Sequence, residues 1–453
     1  MVKKSKFSLS TTQIILLSFL AAIFFGTLLL ALPVSSADGN AVSFADALFT
    51  ATTSVCVTGL VVVPTVSSWS IFGQAVILCL IQIGGLGIIT ILSGLMILIN
   101  KKIGISDRIL LQDAFNLNSL SGIIRFVKKV LTGTFIIEGI GALLLMTVFV
   151  PDFGIKGIWV SVFTSVSAFC NAGIDIIAEN SLCNYALNPI VNAVICLLII
   201  MGGIGYIVWW DVARVARIAK KRKLSSLKLL TLHSKIAISA TLVLVFIGAV
   251  LIFAFEYNNP DTMKDCNLWQ KMMLSLFQSV TTRTAGFATI PQESLTDSSS
   301  IICLFLMFIG GSPVGTAGGV KTVTIAVLVA TAIASTRKKD CTEMFGRQLS
   351  KQSINKSVSV ICMSFTIMFI STVLLSAVTD ASALDIIYET VSATATVGLT
   401  RNLTPSLNVM GKLIIIVTMY LGRVGPISFA MALNSNKENQ DIIKNPVEEI
   451  SIG

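Results

Sequence analysis

The feature that most constrains this chain is a ten-residue stretch, ATTSVCVTGL at 51-60, which recurs loosely three more times. Its Gly59 is answered by Gly173 in SAFCNAGIDI, by Gly286 in SVTTRTAGFATI and by Gly398 in SATATVGLT, at separations of 114, 113 and 112 residues. An apolar run carrying small or hydroxyl residues precedes each copy. A glycine cluster in a more apolar run follows each after roughly 24 to 29 residues: QIGGLG at 82-87, MGGIG at 201-205, FIGGSPVGTAGG at 308-319 and YLGRVG at 420-425. The period is far longer than that of solenoid repeats and points to a duplicated membrane unit.

Composition supports that reading. Of the 453 residues, 54% are hydrophobic and only 12% charged, with a mean hydropathy of +0.86; soluble domains carry about 25% charged residues. The charges lie between long apolar runs, the arrangement of a polytopic membrane protein. A net charge of +10 would suggest nucleic acid in a soluble chain. Here 25 of the 33 Lys and Arg fall in five segments: the N-terminus, 101-129, 214-235, 337-356 and 437-444. Segments 34-46 and 291-299 between them hold acids and no bases, and 256-265 is mainly acidic. The positive-inside rule then puts both termini in the cytoplasm, and nucleic acid is not a partner. Nine scattered cysteines without a CxxC, and His233 alone, read as packing residues rather than a metal site.

Each repeat reads as a helix, a re-entrant helix and loop, and a second helix. The first spans are expected near 12-32, 127-150 (stopped by Pro151), 236-255 and 354-378. Short helices follow at 44-56, 157-170, 268-282 and 383-396, too short for a hydrocarbon core that needs roughly 20 residues. The second spans are placed at 69-99, 189-210, 300-334 and 409-432. The composition of the basic run RVARIAKKRK at 214-223 allows an amphipathic helix at the cytoplasmic face, with a membrane-proximal basic loop set by topology as the plain alternative. The third of the second spans carries so many glycines, with Pro313, that only helix, loop, helix is possible. The fold expected is an all-α polytopic membrane protein, four helix–re-entrant loop–helix repeats around a pseudo-fourfold central pore. One transmembrane domain covers 1-433 (repeats about 10-100, 125-212, 232-336 and 354-433), and 434-453 is a polar cytoplasmic tail.

The turns carry the chemistry. A dehydrated monovalent cation needs several oxygens at fixed distance, and backbone carbonyls in glycine-containing loops supply them. The C-terminal end of each short helix adds partial negative charge. No turn holds a carboxylate ring of the divalent-selective kind. Glycines used only for close helix packing are the plain alternative. The expected filter residues are Thr58, Gly59, Asn171, Ala172, Gly173, Thr284, Ala285, Gly286, Val397 and Gly398, with K+ held by their backbone carbonyls. Irregular backbone at membrane depth must face protein or a watery cavity. That makes Gly310, Gly311, Ser312, Pro313, Gly315, Thr316, Ala317, Gly318 and Gly319 a candidate gate, with Lys321 and Arg423 as basic residues at the same depth. Arg423 lies 25 residues beyond Gly398, the offset of Gly311 from Gly286, which places loop and arginine as neighbours. GTAGGVKT at 315-322 is not a phosphate loop, because Val320 separates glycine from lysine. No catalytic constellation is present in the sequence, so the chain is not read as an enzyme.

The motifs TTSVCVTGLVVV, LIQIGGLG, SAFCNAG, TTRTAGF, GGSPVGTAGGVKT and LGRVGP resemble those of the membrane subunit of the bacterial Ktr/Trk potassium-uptake superfamily, the Ktr branch above all. The resemblance covers about residues 10 to 432. It departs at Pro64, where the family often has an aspartate, and at Ala288, where it often has asparagine. The resemblance implies potassium uptake across a bacterial plasma membrane, often with sodium as activator, by a homodimer with one pore per subunit and no other cofactor. It also implies a cytosolic ring of Rossmann-type nucleotide-binding regulatory subunits. Two alternatives stay open: a weakly selective or sodium-permeable cation transporter, and a non-conducting scaffold subunit of an ATP-driven complex.

Overall fold

The computed structural model describes residues 10–99, 104–114, 122–222 and 228–425. The tail 434-453, the N-terminal lysines and the end of the last expected span lie outside the described residues. Repeat one holds α1 (Thr11–Leu30), α2 (Phe44–Cys56), the single turn α3 (Thr65–Ser68), α4 (Ile71–Leu86) and α5 (Ile88–Leu98), followed by α6 (Ile105–Ala114). Repeat two holds α7 (Ile123–Phe153), α8 (Lys156–Cys170), α9 (Pro189–Gly203) and α10 (Tyr206–Arg222). Repeat three holds α11 (Leu232–Glu256), α12 (Leu268–Thr281), α13 (Asp297–Phe308) and α14 (Thr322–Thr336), and repeat four α15 (Lys351–Ser376), α16 (Ala383–Ala395) and α17 (Val409–Val424).

The first helices α1, α7, α11 and α15 are long and apolar, with mean hydropathies of 2.0 to 2.8, and at most a third of each is buried. Phe24, Phe25, Leu143, Phe246, Phe365 and Phe369 point outward, 55% or more exposed. A belt of that kind suits hydrocarbon, which is no less apolar than the side chains. α7 runs through Pro151 to Phe153 instead of stopping before it. The proline falls in the last turn, where a missing N–H removes little of the helix.

The short helices α2, α8, α12 and α16 lie inside the ring of long ones. Ser43, Asn267 and Ser382 cap three of them by accepting a backbone N–H. Each second helix packs against the short helix of the next repeat: α4 on α8, α9 on α12, α13 on α16 and α17 on α2. The last pairing closes a circle, which the ion pair between Lys412 and Asp46 also bridges.

The second spans, expected at 69-99 with interrupting glycines and at 189-210, are each bent in two. α4 and α5 meet at a 96° bend at Gly87, and α9 and α10 at a 99° bend before Gly205. α17 stops at Gly425. These three glycines hold φ of 84°, 94° and 90°, which side chains disfavour. The rest of each cluster answers to packing: a Cβ at Gly84, Gly202 or Gly422 would collide with the carbonyl oxygen of Val55, Phe169 or Thr394, near the end of the short helix of the same repeat. Beyond Gly205 the chain continues as α10 to Arg222, so the described part of the basic run is helix and not loop. Repeat three is broken as the sequence requires, with a loop at 309-321. A hairpin of Glu343–Met344 and Arg347–Gln348 between repeats three and four is the one two-stranded sheet among the described residues.

Candidate cation pathway

Three of the four short helices end in the same way. Val57, Asn171 and Thr396 take the left-handed conformation immediately after α2, α8 and α16, and the next residue's N–H reaches back to Thr53, Ser167 or Ser392 at 2.8 Å. After α12 the left-handed residue comes later, at Thr284 (φ 63°). The glycine two positions further on has φ of 93°, 65°, 80° and 96° at Gly59, Gly173, Gly286 and Gly398.

The four turns converge. A Cβ on Gly59 would point at the carbonyl oxygen of Ala172, one on Gly173 at that of Ala285, one on Gly286 at that of Val397, and one on Gly398 at that of Thr58, at 2.3 to 2.5 Å. Each glycine thus faces the peptide just before the glycine of the next repeat, and the fourth faces the first. Of the ten expected filter residues, the four glycines with Thr58, Ala172, Ala285 and Val397 make these contacts, Asn171 and Thr284 stand one residue before Ala172 and Ala285, and all ten are buried. Carbonyl oxygens ringed around one axis, at the negative ends of four helices, are a setting in which a monovalent cation can exchange its water for protein oxygen.

Hydroxyls brace the loops from behind. Thr53 and Ser392 accept the N–H of Gly59 and Gly398, each at 3.0 Å. Ser167 and Thr281 instead donate to the carbonyls just past their glycines, Ile174 at 2.5 Å and Phe287 at 2.6 Å. These hydroxyls were visible in the sequence only as polar residues in apolar runs. Sequence reasoning also missed Glu389, fully buried in α16, which accepts from the hydroxyls of Thr400 (2.7 Å) and Thr404. Arg401 pairs with Asp385 at 2.7 Å and donates to the Gln292 carbonyl at 3.1 Å, tying the fourth loop to repeat three.

On one side of the ring opens a cavity of about 440 Å3, lined by the four glycines and by Asp175, Glu179 and Glu293 but by no Lys or Arg. Asp175 is held by the Ser181 hydroxyl (2.6 Å) and the Ile177 N–H (3.3 Å). Burial pushes its carboxyl up to about 6 despite these bonds.

On the other side lies the 309-321 loop. Its neck is closed by backbone bonds, Gly310 N–H to Val320 (2.9 Å) and Thr322 N–H to Gly311 (2.9 Å). Its body hangs on the end of α9, with Ser312 N–H on Gly203 (2.8 Å) and Thr316 N–H on Gly202 (3.1 Å). The Thr316 hydroxyl donates to the Phe169 carbonyl at 3.0 Å and lies 3.1 Å from Asn171 Oδ1; Gly318 N–H donates to Thr284 Oγ1 at 3.2 Å. Asn171 and Thr284 therefore turn their side chains to the loop. Lys321 donates to the carbonyls of Ala317 (2.6 Å) and Gly318 (3.5 Å). Arg423 donates to Thr316 O at 2.7 Å and to the carbonyl of Gly84. The neighbourhood of loop and arginine expected from their offsets is present, and the partners of Arg423 are carbonyls. Beside the half-buried Arg423, the fold holds a buried arginine, Arg283, that sequence reasoning missed.

The chain matches the TrkH family, described as cation transport protein, over residues 4–443. It is 38% identical to the potassium/sodium uptake protein NtpJ of Enterococcus hirae, over 100% of this chain and 99% of that protein. It is 39% identical to the Ktr system potassium uptake protein B of Bacillus subtilis, over 97% of this chain and 96% of that one. The crystal structure of the potassium transporter TrkH from Vibrio parahaemolyticus superposes with a TM-score of 0.75, covering 96% of this chain and 86% of that one at 15% identity, a likeness of fold. With its fourfold ring of loops inside one polytopic helical chain, this protein belongs to the TrkH family of cation transport proteins, within the Trk/Ktr potassium-uptake superfamily.

Proposed function

We propose that this chain is a potassium-uptake protein of the bacterial plasma membrane, passing K+ through a selectivity filter formed by its own four loops. The observation that carries this is the closed ring in which Gly59, Gly173, Gly286 and Gly398 each face a carbonyl of the next repeat. A glycine used only to let two helices approach would not face the neighbouring loop in cyclic order. The names of the relatives, potassium uptake proteins and a potassium/sodium uptake protein, favour K+ as the ion and Na+ as a second ion or activator.

The 309-321 loop, held under the ring by Arg423, acts as the gate in this reading, with Lys321 fixing the loop's own carbonyls. A positive charge there raises the barrier to a cation. The transmembrane domain covers about 1-433 in four repeats, both termini and the tail 434-453 face the cytoplasm, and the chain works as a homodimer. A cytosolic ring of Rossmann-type nucleotide-binding subunits biases the loop. The test is tracer uptake into liposomes holding the purified full-length chain. K+ flux that Na+ competes with poorly supports the reading, and flux of neither ion overturns it. Arg423→Ala should raise K+ flux per folded transporter; unchanged flux removes the arginine from the gate.

A further inference from the structure

Repeat three differs from the others at one place, and that place touches the loop that interrupts it. Three residues before the filter glycine stand Cys56, Cys170 and Ala395 in repeats one, two and four, but Arg283 in repeat three. α12 ends at Thr281 with Thr282 in right-handed conformation, so Arg283 follows before the chain turns left-handed at Thr284. Arg283 is 6% exposed. Its Nη2 donates to the carbonyl of Gly310 at 3.1 Å and its Nη1 to that of Thr241 in α11 at 3.3 Å, while its own carbonyl accepts from Asn171 Nδ2 at 3.4 Å. A buried guanidinium is costly at membrane depth. Here two carbonyls and the negative end of α12 offset that penalty.

The next residue completes the arrangement. Thr284 Oγ1 takes the N–H of Gly318, so two adjacent residues of the third filter loop hold both shoulders of the 309-321 loop, Gly310 and Gly318. The neck between those shoulders is zipped by the Ile309–Val320 bridge and by the Ser312–Thr322 hydroxyl contact at 2.9 Å. The loop is thus a closed unit that can move without unravelling. Arg423 grips it elsewhere, at Thr316 in its body.

We propose that Arg283 and Thr284 are positioning residues forming the mount of the 309-321 loop, joining its displacement to the geometry of the third filter loop and so to ion preference. This rests on the reading above that the loop gates the pore. Arg423 is then a latch on the body, whose loss frees the loop. Loss of the mount both frees the loop and lets the Ala285–Gly286 peptides shift in the ring.

The experiment compares K+ and Na+ tracer flux through the full-length chain in liposomes, per folded transporter, for Arg283→Gln, Thr284→Val and Arg423→Ala. Arg283→Lys serves as the conservative variant. The expected result is raised flux in all three, with the K+/Na+ ratio lowered roughly tenfold for Arg283→Gln, the effect of losing one charged hydrogen bond. Thr284→Val should follow in the same direction, Arg423→Ala should keep the wild-type ratio, and Arg283→Lys, which keeps the charge, should stay nearer wild type than Arg283→Gln. If Arg283→Gln does not fold, Thr284→Val carries the decision. Raised flux with an unchanged ratio in the mount variants overturns the proposal, as does a changed ratio at wild-type flux. Wild-type liposomes that pass neither ion overturn the pore reading itself, an outcome distinct from conducting wild type with indifferent mount variants.

Discussion

Serine at position 398 gives the filter reading its most direct trial. Gly398 has φ of 96°, and a Cβ there would lie 2.3 Å from the carbonyl oxygen of Thr58 and 2.9 Å from the Cα of Gly59. The oxygen would have to retreat by roughly 1 Å before reaching ordinary van der Waals separation. A non-glycine residue held in so sparse a backbone region costs about 1–3 kcal/mol. The clash is relieved by moving the Thr58 peptide away from the axis and the strain by turning the backbone of residue 398, which carries the Val397 carbonyl with it; either movement displaces a carbonyl of the ring. A tenfold change in preference corresponds to about 1.4 kcal/mol. Gly398→Ser should therefore lower the preference for K+ over Na+ by roughly ten- to a hundredfold. The neighbouring geometry is nearly the same at Gly59, Gly173 and Gly286, so serine at each should act in the same direction. The assay is Na+ competition against K+ tracer uptake in liposomes, with monodispersity in detergent as the measure of folding. Folded protein with wild-type preference in all four single variants would refute the ring and return these glycines to a packing role.

Ser392→Ala strands the buried Gly398 N–H and should cost about 1–3 kcal/mol locally, loosening preference less than Gly398→Ser; a variant with wild-type competition curves would show that the hydroxyl does not brace the loop. Asp175 sits above its ordinary range, at about 6, so its carboxyl is charged above that pH and neutral below it. Uptake at limiting K+ should fall by up to about tenfold as the pH on the cavity side drops from about 7 to 5, and Asp175→Asn should flatten the profile near its acid limit. An Asp175→Asn variant with the wild-type pH profile would assign the titration elsewhere. Tags in 214-235 and at the C-terminus should be shielded in intact cells, whereas tags near Asn180 and Ser298 should be labelled from outside; the reverse pattern would invert the assigned orientation.

Much of this protein is legible in its sequence because the signals are local or periodic. Apolar length alone marks α1, α7, α11 and α15, since a helix facing lipid needs hydrophobic residues around most of its girth. The four short helices are visible within one or two residues, because a polar capping residue precedes three of them and a glycine follows all four. The interruption at 309-321 is equally plain, as no helix tolerates that run of glycines with a proline. What the sequence could not convey is which glycine meets which neighbour. Gly84, Gly202 and Gly422 serve close packing while Gly59, Gly173, Gly286 and Gly398 face the next repeat, and both sets look alike as letters. The right-angle bends at Gly87 and Gly205 were hidden for the same reason: a glycine permits a left-handed φ, but only surrounding contacts require it. Arg283 looked like one more basic residue until the fold set it against Gly310, more than twenty residues away. Local pattern thus determined the elements and their fourfold count. The cyclic order of the repeats, the facing of carbonyls and the carbonyl partners of Arg283 and Arg423 were decided by tertiary structure, because long-range contacts leave no periodic mark on the chain.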